Sequence, residues 1–191
     1  MKCAECEDKK CYEGKDCTGF REEVKKEYKS ENKKVMETAT FLESNYYMKL
    51  CRLEELVEFC KKMGYKTLGL AFCVGLQEEA GIINRILKKD FEVYSVCCKV
   101  CGIDKKELGL PNIKEDRFEA TCNPIGQATA LNRKKTDLNV AIGLCMGHDI
   151  LFAKHSKAPV TTLVVKDRVL AHNPLGAVYS KYYRKNKFGI E

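Results

Sequence analysis

A chain of 191 residues carrying a net charge of +7 and 12 cysteines is long enough to bury a core, and its cysteine content is below that of short disulfide scaffolds. No apolar run reaches the length of a signal peptide or a membrane span, so the chain, which opens Met1-Lys2-Cys3, reads as cytoplasmic with no membrane partner. Thiols used this heavily in a reducing compartment argue for metal or redox chemistry, and the absence of an RNA-recognition or helix-turn-helix signature argues against nucleic acid.

Residues 1 to about 19 form a knob rich in Cys, Gly and Lys, too small and polar to bury a core unaided. From Phe20 to about Leu50 the pattern is helical and strongly charged, with Lys and Glu interleaved as on a solvated face. Leu53, Leu56, Val57 and Cys60 follow the spacing of an amphipathic helix, which Gly64 is placed to end. Cys60 lies on that stripe and Cys51 off it, and both read as packing thiols. Lys66–Cys73 is a short apolar strand, and Leu76–Lys89 a helix with Leu76, Ala80, Ile83 and Leu87 on one side. Phe91–Val100 is the next strand, and a polar loop through Pro111-Asn112 leads to Cys122. Asn123 as N-cap and Pro124 at the first helical position open a helix running to about Lys135. Asp137–Leu144 is a third strand, a short helix carries Ile150, Leu151 and His155, and Pro159–Val165 is a fourth strand. A tail rich in Tyr and Lys is expected to wrap the surface.

Strands alternating with helices predict an α/β fold: a mostly parallel sheet of about four strands flanked by helices, with the small N-terminal metal knob appended. The expected organisation is a knob over residues 1–19 and an α/β domain over residues 20–191. Right-handed crossovers place every strand-to-helix loop at one edge of the sheet. Cys73, Cys98, Cys101, Cys122 and Cys145 fall at strand ends or just before a helix, so the topology should gather them in the crevice where open α/β sheets bind ligands. Cys98 and Cys101 have chelating spacing, and Cys97, its side chain on the opposite face of the strand, is left as a spare. Four thiolates suit a 4Fe–4S cluster, and four can also close a zinc site. Thiols drawn from separated elements, in number beyond what one tetrahedral ion needs, favour the cluster. Thiol redox chemistry without metal remains a third option.

In the knob, Cys3-x2-Cys6-x4-Cys11-x5-Cys17 offers four local thiols among polar residues, where a metal would supply the organising energy. The spacing matches neither a zinc ribbon nor the bacterial ferredoxin run, so zinc and a second iron–sulfur cluster are equally open there. His148, three residues after Cys145, is the candidate catalytic group as a proton donor beside the cluster, against the alternative of a helix cap. No Walker loop, dinucleotide fingerprint or nucleophile elbow is present.

The N-terminal cysteine run, the stretch KTLGLAFCVGLQEEA and the stretch NVAIGLCMGHD together resemble a family of uncharacterised, cysteine-rich, metal-binding proteins of anaerobic bacteria and archaea. The resemblance spans nearly the whole chain. It implies metal binding and an anaerobic host but no reaction, with Cys3, Cys6, Cys11, Cys17, Cys73, Cys98, Cys101, Cys122 and Cys145 as the matching ligand positions. The expected function is that of an iron–sulfur protein in electron transfer or redox chemistry on a small molecule. The alternatives are a metal-sensing or metal-carrying protein, or a non-redox enzyme using an open iron position as Lewis acid. The expected partners are a redox protein or a small-molecule ligand, and a homodimer is allowed.

Overall fold

The sheet expected from the alternating pattern is present in a computed structural model that describes residues 1–190. Four parallel strands, β1 (Thr67–Phe72), β2 (Glu92–Cys97), β3 (Leu138–Ile142) and β4 (Val160–Val164), stand in the order β2-β1-β3-β4. The chain divides into two compact units, Met1–Leu50 and Cys51–Glu191. The first holds the cysteine knob together with α1 (Arg21–Glu27) and α2 (Ser30–Tyr46). The second holds the sheet and the helices α3 (Arg52–Met63), α4 (Gln77–Leu87), α5 (Pro124–Lys134), α6 (His148–His155) and α7 (Leu175–Tyr179).

Period-two alternation sends each strand's side chains to two different cores. Leu68 and Leu70 of β1, Val93 of β2 and Leu138, Val140 and Ile142 of β3 pack with Leu56 and Cys60 of α3 and Ala80, Ile83 and Leu87 of α4. The residues between them face the other way. Ala71, Tyr94, Val96 and Ala141 meet Ala128 and Leu131 of α5 and Phe152 of α6. Gly69 lies on that second face, where an added Cβ would stand 2.1 Å from Asn139 Oδ1 and 2.8 Å from Leu131, so close packing of α5 requires a glycine. Asn139 itself is buried, but its amide is paired: Thr136 Oγ1 donates to Oδ1 at 2.7 Å and Nδ2 donates to Ser156 Oγ at 2.5 Å.

Local signals set the helix ends. Asn123 Oδ1 accepts from the Gly126 N–H at 2.7 Å, with Pro124 opening α5. Gly64 closes α3 at φ +79°, its N–H donating back to the carbonyls of Cys60 and Lys61. α4 begins one residue later than the periodicity suggests, because Val74–Leu76 form a 3-10 turn first. β2 stops at Cys97 rather than Val100, and the chain turns over the following residues. Among the described residues no helix is long and apolar enough to cross a membrane.

Candidate functional site

The connections from β1 and β3 leave the sheet in opposite directions, one through α4 to β2 and the other through α6 to β4. The carboxyl ends of these two central strands therefore form the topological switch point, where the crevice of a doubly wound sheet usually takes its ligand. Backbone hydrogen bonds continue the ladder one residue past the strands and fix the thiols there. Cys73 N–H donates to Ile142 O at 3.1 Å, Cys98 N–H to Phe72 O at 2.9 Å and Asn123 N–H to Cys98 O at 2.7 Å. Gly143 N–H donates to Val164 O at 2.8 Å. Gly143 then turns β3 toward Cys145 with φ +61°, under the side chain of Leu76, which a Cβ at Gly143 would strike at 2.1 Å.

Four of the expected thiols, Cys73, Cys98, Cys122 and Cys145, lie near enough to one another or to a shared cation to influence the same charges. Cys98 is buried, and its Sγ accepts the Val74 N–H at 3.3 Å. The neighbouring Cys122 and burial raise the Cys98 pKa far above its ordinary range, although the Val74 N–H works the other way. Cys122 is half-buried, its pKa drawn down to about 5 by Cys98 first, against the effect of burial. The Lys99 ammonium, 3.6 Å from Cys122 Sγ, and the His148 ring lower it further. Lys99 is itself anchored on Ala120 O at 2.6 Å. Cys145 accepts from Arg168 Nη2 at 2.9 Å, and this contact raises the guanidinium pKa, with Cys73 and Cys122 adding to it. Cys73, Cys98, Cys122 and Cys145 thus share one electrostatic neighbourhood with Lys99, Arg168 and His148.

Cys101 stands apart from this set. It is exposed, lies at φ +73° in the turn after β2, and makes no polar contact with the other thiols among the described residues. Cys97 is half-buried beside it in sequence. Cys60 is inert for a physical reason: full burial pushes its thiol up to about 12. His172 is a turn residue whose Nδ1 accepts the Asp167 N–H at 3.1 Å, and His155 ends α6.

In the knob all four thiols are exposed, and no side chain among residues 1–20 is buried. Lys9 N–H donates to Cys6 Sγ at 3.4 Å, and Lys15, paired with Asp8 at 3.2 Å, has its pKa raised first by Asp8 and further by Cys17 and Cys6. Asp16 organises the exit into α1 by accepting from Thr18 and Gly19 N–H at 2.9 and 3.0 Å. Among the described residues, no group of three or more His, Cys, Asp or Glu stands in an arrangement that could hold a metal ion. In kind and number the crevice thiols nonetheless match a cluster's donor set: all four are free, and backbone or cationic donors face the sulfurs of Cys98, Cys122 and Cys145.

Lys99 and Arg168, which contact the Cys122 and Cys145 sulfurs, are the residues that pattern reading passed over. A lone Lys or Arg at a strand end looks solvated in sequence. The signal that could have found them is position, since Lys99 directly follows Cys98 and Arg168 lies just beyond β4, at the same edge of the sheet.

The chain belongs to the family described as protein of unknown function (DUF1847), which matches residues 12–163. That span contains all the crevice thiols and begins after Cys3, Cys6 and Cys11. It is similar to the uncharacterized protein MJ0455 of Methanocaldococcus jannaschii, at 58% identity over 187 residues and 97% of each chain. No solved structure matches.

Proposed function

We propose that this protein is a metal-binding, iron–sulfur redox protein in which Cys73, Cys98, Cys122 and Cys145 hold a cluster of the 4Fe–4S type. Its role is electron transfer to a partner protein or redox chemistry on a small molecule. The observation that supports this most is the convergence of four free thiols, from four separate segments, on one cation-lined crevice. Four thiolates are the usual protein complement of such a cluster, which when bound would supply one-electron exchange.

The residues of the chain would do the remaining work. The Val74 N–H on Cys98 and the Lys99 and Arg168 cations on Cys122 and Cys145 stabilise thiolate charge, and such contacts tune a potential upward. His148, whose ring acts on Cys122, is the candidate proton donor to an anion entering the crevice. Cys101, outside the contact network, is left out of this ligand set. The net positive charge suits an acidic redox partner.

We assign Cys3, Cys6, Cys11 and Cys17 to a separate N-terminal metal site for zinc or a second cluster. The support is that residues 1–20 bury nothing, so another source of order is needed, and that Cys6 and Cys17 already flank Lys15.

Single Cys→Ser changes test the crevice reading in anaerobically prepared protein. Replacement at Cys73, Cys98, Cys122 or Cys145 should remove or bleach the brown absorbance, whereas Cys51→Ser should retain it. Equal colour in all five variants would overturn the assignment.

A further inference from the structure

Lys166, just beyond β4, is a cation of the carboxyl edge that the crevice thiols leave unused. Its side chain runs across the switch point. The Cδ passes 3.6 Å from where a Cβ would stand at Gly143, and Nζ ends 3.6 Å from where one would stand at Gly75. A snorkelling lysine carries its head out into water, whereas this head stops against the turn that follows β1. The residue is half-buried, yet among the described residues its ammonium has neither a carboxylate nor any other acceptor. Two residues on, the exposed Arg168 gives Nη2 to Cys145 Sγ at 2.9 Å, which leaves the rest of its planar fork open to a second acceptor. Asp167, between the two cations, turns onto its own chain and accepts Val169 N–H at 2.9 Å and Leu170 N–H at 2.8 Å. Asp149 accepts Ile150 N–H at 2.8 Å. In the connection from β3 to α6, the N–H groups of Leu144, a buried residue, and of Met146 also lack an acceptor among the described residues. Unmet donors of this kind call for a water or a ligand.

We propose that Lys166 and Arg168 bind the oxyanion group, a carboxylate or a phosphate, of a small molecule seated over Gly75 and Gly143 at the carboxyl ends of β1 and β3. Lys166 supplies a point charge and Arg168 a planar set of donors, a combination that holds either group. The missing Cβ at Gly75 leaves space beside the Lys166 head, where the anion can approach the backbone closely. The place is the switch point of the sheet, where doubly wound folds take their ligands. That the bound molecule is the redox substrate rests on the reading of the crevice as a redox site. The anion binding itself does not, since Lys166 contacts no crevice thiol among the described residues.

The full chain, purified without oxygen, is dialysed to equilibrium against labelled inorganic phosphate and, separately, labelled acetate. The expected result is saturable binding of at least one of them, phosphate marking a phosphate-ester ligand and acetate a carboxylate ligand. Lys166→Met keeps the stem and removes the charge, and should weaken that binding by roughly tenfold or more, as should Arg168→Gln. Lys157→Met removes a lysine near the opposite, amino end of β4 and should change nothing. In the wild-type protein the same anion should slow chemical acetylation of Lys166 but not of Lys157, read by mass spectrometry, a measurement that needs no variant to fold. The proposal is overturned if neither anion saturates by about 10 mM, if binding survives both crevice substitutions, or if protection falls equally on Lys157. Iron and sulfide are assayed on the same samples. Anion binding in protein without a cluster would contradict the cluster reading alone. A cluster present in wild type and in Lys166→Met, with no anion bound by either, would contradict this inference alone.

Discussion

Reactivity of Cys122 as a function of pH gives the sharpest test of the crevice electrostatics in metal-depleted protein. At pH 7 a thiol at its ordinary 9.0 is about 1% ionised, whereas one drawn down to about 5 is about 99% ionised, a roughly hundredfold gain in attacking species. Nucleophilicity falls as the pKa falls, with a slope of about 0.4–0.5, so four units reduce the rate per thiolate by roughly 40- to 100-fold. The two effects nearly cancel, and the absolute rate at pH 7 decides nothing. The profile does: between pH 6 and pH 8 an ordinary thiol should speed up by roughly a hundredfold, but Cys122 by only about 1.1-fold. The assay is exchange with an aromatic disulfide, quenched and read at Cys122 by mass spectrometry. Cys98→Ala removes the largest cause of the depression and should move the inflection upward most, with Lys99→Met moving it in the same direction by less. A rate for Cys122 that climbs tenfold per pH unit through pH 7–8 in the parent would refute the reasoning, as would an inflection indifferent to Cys98→Ala.

Two further perturbations probe the frame that holds the site. Gly143→Ala combines left-handed backbone strain with a Cβ 2.1 Å from Leu76, and should lower stability by roughly 2–5 kcal/mol by urea unfolding; an unchanged midpoint would mean Leu76 does not pack over this turn. Asp137 is burdened by desolvation, but its carboxylate accepts Lys66 N–H at 2.7 Å and Thr67 N–H at 2.8 Å, which bring its pKa below the ordinary 3.8. Its stabilisation is therefore complete above the unfolded value and is lost as pH falls through the lower folded one. Asp137→Asn should cost about 1–2 kcal/mol at neutral pH, with the difference from wild type shrinking in strong acid; a difference that is constant with pH would contradict this.

The fold was legible because β-strand alternation and helix caps are local. Leu68 and Leu70, set against Gly69 and Ala71, already announce a strand covered on both faces, and Asn123-Pro124 announces the start of α5. The placement of Cys73, Cys98 and Cys145 just beyond strand ends was legible too, since parallel strands share a carboxyl edge whatever their order. Strand order was not, because the β2-β1-β3-β4 arrangement depends on which helices cover which face, and that is a property of packing. Cys101 shows where spacing fails: the chelating interval from Cys98 survives in sequence, but a positive φ turns the chain away into an exposed position. Lys99 and Arg168 were hidden for the opposite reason, as a cation becomes a site residue only when the fold brings a sulfur to it.

The central claim, that the crevice thiols hold an iron–sulfur cluster, is tested most directly by iron and acid-labile sulfide analysis of the full chain purified without oxygen. The account predicts about four iron and four sulfide per chain for the crevice, lost together on Cys98→Ser or Cys122→Ser. Colourless protein with no acid-labile sulfide, whether it carried zinc or no metal, would contradict it.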